Sequence, residues 1–485
     1  MPRVAIYIQS KYAKQTYAVE SYDVRAWPGM EMVRDALERA GIEVGYCTQD
    51  TVDRYDVVLM SITGMCDWWP FVAERLTWPR GRYQVVVGGA AVLNIRPFLE
   101  YADYFVLGRG ERVAPPLVAA LLRGEAFEHP SVVRSRDFSP DKAYLIAQAE
   151  ACYEHTTTMA NGKPFTEEAI GCQQRCLFCG YTWQRAHVGM TQRYAGAGNA
   201  LYKGSDERTM FELDLDHPET WDVDYEGKKS NKLRIIGLDG LSERLRRMVN
   251  KPITREMLHK FLAGLHVIPH PHRVKVYNII GYPTETESDQ MEFIDTLIEA
   301  DATTPSLGDR KQWGIELVST PFRAMPATPG AYWPMSYVNY RYSLGPRFKS
   351  RGYYRPWEGK ENVFFQGRSL WSYETFGTEH LATVVFDCLG LRGTEDHAAV
   401  ARAIVLNRAF WGASGAVRLA TLERYLDVED LFRPYRLHDL PTRYLRTYVT
   451  PEGMLRAQDK RLRAHGGEAG ARIADYIAGK REDWR

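Results

Sequence analysis

The stretch Glu167-Glu168-Ala169-Ile170-Gly171-Cys172-Gln173-Gln174-Arg175-Cys176-Leu177-Phe178-Cys179-Gly180 places three cysteines within eight residues. Their C-x3-C-x2-C spacing fits three corners of a [4Fe–4S] cluster and leaves the fourth iron without a protein ligand. A fully ligated electron carrier needs four cysteines. An open iron can instead bind and reduce a small molecule, so the spacing points to chemistry at the cluster. A zinc site would need a fourth ligand, recruited from Cys152, His155 or His187, and the spacing is not a common zinc-ribbon one. Three unrelated buried thiols are the remaining reading, and free cysteines seldom crowd so closely.

The surrounding chain is that of an ordinary globular protein. Its 485 residues suit about three domains, with 45% hydrophobic and 25% charged residues. A net charge of +1 argues against a global nucleic-acid or membrane field, though not against a local patch. The apolar run Val4 to Ile8 is too short for a signal-peptide core and is followed by Lys11 and Lys14. No stretch approaches the length that spans a bilayer. Seven cysteines, three of them adjacent, fit a reducing cytoplasm better than a disulfide framework.

Upstream of the cysteines, Val- and Ile-rich runs alternate with helical patterns. Residues 4–9, 42–47, 55–62, 83–87 and 104–107 read as strands, and residues 29–40 as a helix with Met30, Val33, Leu37 and Ala40 on one face. Such alternation implies a doubly wound parallel sheet, whose ligands sit outside the carboxyl ends of its strands. Those ends carry Ser61, Thr63 and Gly64, then Gly88 and Gly89, then Gly108, Gly110 and Glu111. Glycines there would let a large planar or phosphate-bearing ligand approach the backbone.

Downstream, residues 234–254 read as a strand, a glycine-containing turn, and a helix with Leu241, Leu245 and Met248 on one face. Residues 276–287 read as a buried strand ending in Gly281-Tyr282-Pro283, with Thr286 or Glu287 placed to cap the next helix. Residues 317–329 read as a further strand and loop.

With the cysteine spacing and Phe178 before the third cysteine, these motifs resemble the radical S-adenosylmethionine superfamily. There an open iron chelates S-adenosylmethionine, and one electron cleaves it to a 5′-deoxyadenosyl radical. The resemblance implies that Cys172, Cys176 and Cys179 ligate the cluster and that Phe178, Asp239, Ser242, Glu243 and Arg244 approach S-adenosylmethionine. Arg244 suits its carboxylate through paired hydrogen bonds, whereas Glu243 and Arg246 also read as a solvated helix face. Ile279, Ile280 and Gly281 would lie near the adenine. Asp239 stands where the family more often has glutamate, and Ile170 where many relatives have arginine. The family's Gly-Gly-Glu after the cluster helix has no clear counterpart; residues 210–215 offer Glu212 or Asp214.

Val85-Val86-Val87-Gly88-Gly89-Ala90, followed by Ala102-Asp103-Tyr104-Phe105-Val106-Leu107-Gly108-Arg109-Gly110-Glu111, resembles the cobalamin-binding domain that precedes many such cores. Cobalamin is then expected at Ser61, Thr63, Gly64, Gly88, Gly89, Gly108, Gly110 and Glu111. Many cobalamin proteins carry a cobalt-ligating histidine after the first strand; here residues 10–15 hold none. The methylthiotransferases need three more cysteines in this region, which offers Cys47 and Cys66.

The expected fold is α/β: a doubly wound parallel-sheet, cobalamin-binding-like domain over 1–135, a partial TIM-like (β/α) barrel core over 150–335, and a mostly helical substrate or cap region over 336–485. Helices are expected at 379–385, 397–411 and 421–432, and the charged tail from Arg456 reads as a surface-exposed helix. Residues 337–360 interleave Tyr337, Tyr340, Tyr353 and Trp357 with Arg341, Arg347 and Arg351. That composition suits base stacking or a phosphate-bearing substrate, but more often marks a loop packed over a barrel mouth, so a nucleic-acid partner is not favoured. By resemblance, the activity is methylation of an unactivated carbon using a [4Fe–4S] cluster, S-adenosylmethionine and cobalamin. The substrate would be a small molecule or nucleotide-like compound, and the electron donor a flavodoxin or ferredoxin. The alternatives are a non-methylating rearrangement or cyclisation, and a non-catalytic iron–sulfur protein.

Overall fold

The computed structural model describes residues 3–7, 28–62, 71, 74–79, 81–158, 164–167, 169–189, 214–220, 234–267, 272–303, 313–322, 325–334, 434–440 and 442–485. Several expectations lie outside them: the loop 10–15, Thr63, Gly64, Glu212, the aromatic and basic stretch 337–360, and the helices at 379–385, 397–411 and 421–432.

The first sheet contains β1 (Val4–Tyr7), β2 (Val44–Cys47), β3 (Val57–Ser61), β4 (Gln84–Gly88), β5 (Tyr104–Val106) and β6 (Val132–Arg134), in the order β2-β1-β3-β4-β5-β6. The first five strands are parallel, and β6 closes the edge antiparallel to β5. Successive side chains point to opposite faces, and in β1 both sets are buried. Val4 and Ile6 join Val57, Leu59 and Val86 beneath α1 (Pro28–Arg39) and α2 (Gly110–Leu122). Ala5 and Tyr7 join Val58, Met60, Val85 and Val87 on the other face. Burial on both sides explains why these strands are unbroken Val and Ile runs rather than alternating ones.

That second face is continuous with the rest of the protein: the same hydrophobic cluster includes Leu177, Trp183, Tyr282, Phe322, Trp333, Leu445, Met454 and Leu462. Beyond β7 (Tyr144–Leu145), the cysteine loop lies between the short antiparallel partners β8 (Ala169–Ile170) and β9 (Val188–Gly189), with one helical turn, α3 (Gly180–Trp183), after Cys179. A second parallel sheet holds β10 (Arg234–Gly237), β11 (His272–Ile280) and β12 (Trp313–Pro321), with β11 and β12 in register from His272↔Trp313 to Ile280↔Pro321. The helices α4 (Glu243–Met248), α5 (Arg255–Val267) and α6 (Glu287–Thr303) make the crossovers. Three strands so joined are the repeating unit of a (β/α) barrel; among the described residues they form an open sheet.

The C-terminal segment returns to the body of the protein. β13 (Leu445–Arg446) pairs in parallel with β7. The Tyr444 hydroxyl accepts from Ile95 N and donates to Leu93 O, each at 2.8 Å. The last two helices, α7 (Pro451–His465) and α8 (Gly467–Ile477), correct the expectation of an exposed tail. Met454, Leu462, Ile473 and Ile477 are buried in the main core, since an apolar stripe on each charged helix faces inward. Among the described residues no helix is long and apolar enough to cross a membrane.

Candidate functional site

The cysteine loop is held from three sides. Leu177 N donates to Val249 O, and Leu177 O accepts from Gly330 N, each at 2.9 Å. Asn250 Nδ2 donates to Gln174 O at 2.7 Å and to Arg175 O at 3.2 Å. Arg175 and Asn250 both adopt left-handed backbone conformations, φ 51° and 63°, and asparagine tolerates that region better than most residues. Within the loop, Thr182 Oγ1 donates to Cys172 O at 2.6 Å and Trp183 Nε1 to Cys176 O at 2.9 Å. From the C-terminal segment, Tyr448 donates to Thr182 O and Arg461 donates to Asn250 Oδ1. Both expected sides of the site, core and C-terminal region, therefore fix one loop.

The three thiols are electrostatically coupled. Burial pushes the Cys176 thiol up, with Cys179 and Cys172 adding to the rise and Lys251 opposing it. Burial raises Cys179 to about 11, against hydrogen bonds from the Thr182 and Tyr181 backbone. Lys251 is buried and pairs with Asp239 Oδ2 at 2.7 Å. Its burial disfavours charge, but Asp239 and Cys176 outweigh that and raise its pKa. A buried cation and backbone N–H groups beside these thiols favour the deprotonated sulfur that metal ligation requires. A four-iron cluster takes each thiolate on a different iron, so its ligands need not converge on one point. Among the described residues no three His, Cys, Asp or Glu side chains gather as a single ion would require. The Cys152 thiol is directed at Val188 O, 3.9 Å away.

Phe178 lies over the core with its ring 6.4 Å from that of the buried Tyr282. Tyr282 in turn donates to Asp239 O at 2.8 Å, so Phe178, Asp239 and the cysteines share one neighbourhood. Asp239 has φ 54° at the turn after β10. Ile280 is buried at the end of β11, Ile279 is partly buried, and Gly281 turns with φ 76° while its N–H donates to Glu285 Oε2 at 2.5 Å.

Arg244 is engaged within the chain. Its guanidinium is already in a two-point pair with Asp289, Nε to Oδ1 at 3.0 Å and Nη2 to Oδ2 at 2.5 Å, and it also reaches Thr284 O and His465 O. A carboxylate from within the chain occupies the fork that the sequence suggested for a ligand. Ser242 caps α4 by accepting from Leu245 N and donates to Asp289 at 2.5 Å. Glu243 pairs with Arg247 and accepts from Arg255 N. All three side chains therefore have partners within the chain. Arg246, read as half of a solvated face, is fully buried and donates to the carbonyls of Ile253, Gly240 and Leu241. Asp214 accepts from Asp216 N and His217 N in an exposed turn.

At the carboxyl edge of the first sheet, the glycines serve the chain itself. A Cβ on Gly89, φ 103°, would stand 2.3 Å from Ile62 O, and one on Gly108, φ 91°, 2.5 Å from Ala147 O. On Gly110 it would meet Val33 of α1 at 3.1 Å, and on Gly88 Val106 O at 3.8 Å. A side chain at Gly89, Gly108 or Gly110 would thus press on backbone or on a neighbouring helix. Glu111 is buried and pairs with Arg109, which also grips Glu167 just before the cysteine loop. Ser61 ends β3, half-buried, beside the β4 end at Gly88. Sequence reasoning missed Arg109, Lys251 and Asp289 as the groups that connect the parts; each pairs with a residue distant in the chain or in an unremarkable motif.

No protein-family model matches the chain, and no curated protein matches it. Among solved structures, it is similar to the radical S-adenosylmethionine methyltransferase TsrM from Kitasatospora setae with cobalamin and a [4Fe–4S] cluster bound. The identity is 16%, over 68% of this chain and 77% of that one, with a TM-score of 0.43. The same methyltransferase with tryptophan substrate and a S-adenosylmethionine analogue gives 14% identity, 68% and 75% coverage and a TM-score of 0.42. The cobalamin-dependent S-adenosylmethionine radical enzyme OxsB, with aqua-cobalamin and S-adenosylmethionine bound, gives 10% identity, 100% and 82% coverage and a TM-score of 0.35.

Proposed function

We propose that this chain is a cobalamin-dependent radical S-adenosylmethionine enzyme that methylates an unactivated carbon of a small-molecule or nucleotide-like substrate. The observation that carries the reading is the loop of Cys172, Cys176 and Cys179, fixed by Val249, Asn250 and Gly330 beside the carboxyl end of β10 and β11. Cys172, Cys176 and Cys179 would hold a [4Fe–4S] cluster. Phe178, Asp239 and the Ile279–Gly281 turn would border S-adenosylmethionine. Cobalamin would lie along the carboxyl edge of the first sheet, where Ser61 ends β3. When bound, these groups supply an electron to cleave S-adenosylmethionine and a methyl group to transfer.

The chain's own part is positioning and exclusion of water. Lys251 places a buried positive charge beside the thiolates, paired to Asp239. Tyr282, Phe322 and Trp333 form a contiguous aromatic layer under the loop, with ring centroids 5.4 to 6.4 Å apart, and so keep solvent from its inner side. A flavodoxin or ferredoxin would reduce the cluster.

The test uses anaerobic protein from cobalamin-supplied cells, with S-adenosylmethionine carrying a deuterated methyl group. Formation of 5′-deoxyadenosine together with transfer of the labelled methyl to an added small molecule supports the reading. Formation of 5′-deoxyadenosine without transfer would assign the non-methylating alternative.

A further inference from the structure

Arg185 follows the cysteine loop by six residues and lies over the Tyr181 ring, 5.3 Å from its centroid. Among the described residues its guanidinium has neither an ion pair nor a hydrogen bond. The backbone beneath it is clamped on both sides. Gln148 Nε2 donates to Gln184 O at 2.8 Å and Gln148 Oε1 accepts from Ala186 N at 2.9 Å. Gly171 lies so close that a Cβ there would meet Ala186 O at 2.9 Å and Arg185 O at 3.0 Å.

The nearby charges do not neutralise it. Glu111 and Glu167 are within electrostatic reach of Arg185, but both are committed to Arg109, whose own positive charge opposes that of Arg185. Desolvation, the largest influence, pushes the Arg185 guanidinium below the usual arginine range. A half-buried cation with no counter-ion among the described residues is open to an anion, and its planar fork suits carboxylate or phosphate. A clamped backbone and a stacked ring keep that fork in one place, without an acceptor among the described residues.

We propose that Arg185, stacked on Tyr181, binds the anionic group of a ligand lying between the carboxyl edge of the first sheet and the cysteine loop. The shared chemistry is an oxyanion, carboxylate or phosphate. The proposed function enters only in naming its source: the phosphodiester of cobalamin's nucleotide tail, or an acidic group on the substrate.

The experiment labels the full-length chain with phenylglyoxal and maps modified arginines by mass spectrometry, with and without inorganic phosphate or acetate. Arg185 is expected to label while the doubly paired Arg109 does not, and phosphate or acetate at about ten times its dissociation constant should slow Arg185 labelling about tenfold. An Arg185 that resists labelling, or labels equally with and without both anions, overturns the proposal. Absorption titrations of the wild type, R185K and R185Q with cobalamin and with cobinamide, which lacks the nucleotide tail, then identify the source. A cobalamin affinity about tenfold weaker in R185Q, partly rescued in R185K and absent for cobinamide, assigns the phosphodiester. Protection by anions with unchanged cobalamin affinity assigns the substrate. The labelling result stands whether or not S-adenosylmethionine is cleaved, so failure here and failure of the proposed function are separable.

Discussion

Arg109 and Glu167 meet in a two-point ion pair, Nη1 to Oε1 at 2.7 Å and Nη2 to Oε2 at 2.6 Å, across the junction between the first sheet and the cysteine loop. Arg109 belongs to the loop after β5, and Glu167 lies five residues before Cys172. The pair is thus a direct mechanical link between the two regions where cofactors are expected. Both side chains are nearly buried, and Glu167 also accepts from Tyr153 N at 2.8 Å. Removing one partner of such a pair leaves an uncompensated charge. E167Q should therefore lose roughly 3 kcal/mol of stability, read as a lower urea midpoint. A midpoint equal to that of the wild type would show that the junction does not depend on the pair.

The glycines of the sheet edge make a second prediction. G108A combines a positive φ with a Cβ 2.5 Å from Ala147 O, and should cost about 1–3 kcal/mol. G29A, near the start of α1, meets nothing within 4 Å and should be neutral or stabilising by up to about 1 kcal/mol. Thermal unfolding of the two variants separates the roles. Equal effects would contradict the assignment of Gly108 to backbone packing.

Asp289 joins two helix starts. It accepts from Thr286 N and Oγ1, each at 2.8 Å, at the start of α6, and from Ser242 and Arg244 of the α4 region. Burial works against its charge, but the Arg244 and Ser242 hydrogen bonds dominate and hold its carboxyl below the usual range. A depressed carboxyl contributes stability above its unfolded pKa, about 3.9, and loses it as pH falls through the lower folded value. D289N should be destabilised by about 2 kcal/mol at neutral pH and should show a shallower acid limb in urea melts. An acid limb identical to the wild type would assign the loss elsewhere.

Glu285 has the opposite sign. Burial raises it to about 7, against hydrogen bonds from Gln290 and the N–H groups of Gly281 and Tyr282. A raised carboxyl stabilises the fold fully below its unfolded pKa, about 4.3, and that contribution is lost as pH rises through the folded value. Urea midpoints of the wild type should fall between about pH 4 and pH 7 and level off above, and E285Q should flatten the fall. An unchanged slope in E285Q would remove Glu285 as its source.

The parts of the fold that showed in the sequence are those governed by local pattern. β1 to β5 were legible because burial on both faces leaves Val- and Ile-rich runs with no polar interruption. The three-residue β6 carries too short a signal, and its antiparallel pairing with β5 is set by tertiary contact. The cysteine spacing located its loop, since all three thiols lie within one turn-rich segment. The pairing of Arg244 could not be read locally, because its partner Asp289 is 45 residues away. The same holds for Arg109, whose partner Glu167 is 58 residues on. In the C-terminal tail the abundance of charge hid a stripe formed by Met454, Leu462, Ile473 and Ile477, a signal that a helical-period count would have exposed.

The central claim is that Cys172, Cys176 and Cys179 hold a [4Fe–4S] cluster that cleaves S-adenosylmethionine. The most direct measurement is the iron content and 5′-deoxyadenosine yield of anaerobic wild-type protein beside C172A, C176A and C179A, each reduced with dithionite. The account predicts about four irons per chain in the wild type, 5′-deoxyadenosine formed by the wild type alone, and lowered iron in every variant. Zinc in place of iron, or a cysteine variant that cleaves S-adenosylmethionine as the wild type does, would contradict it.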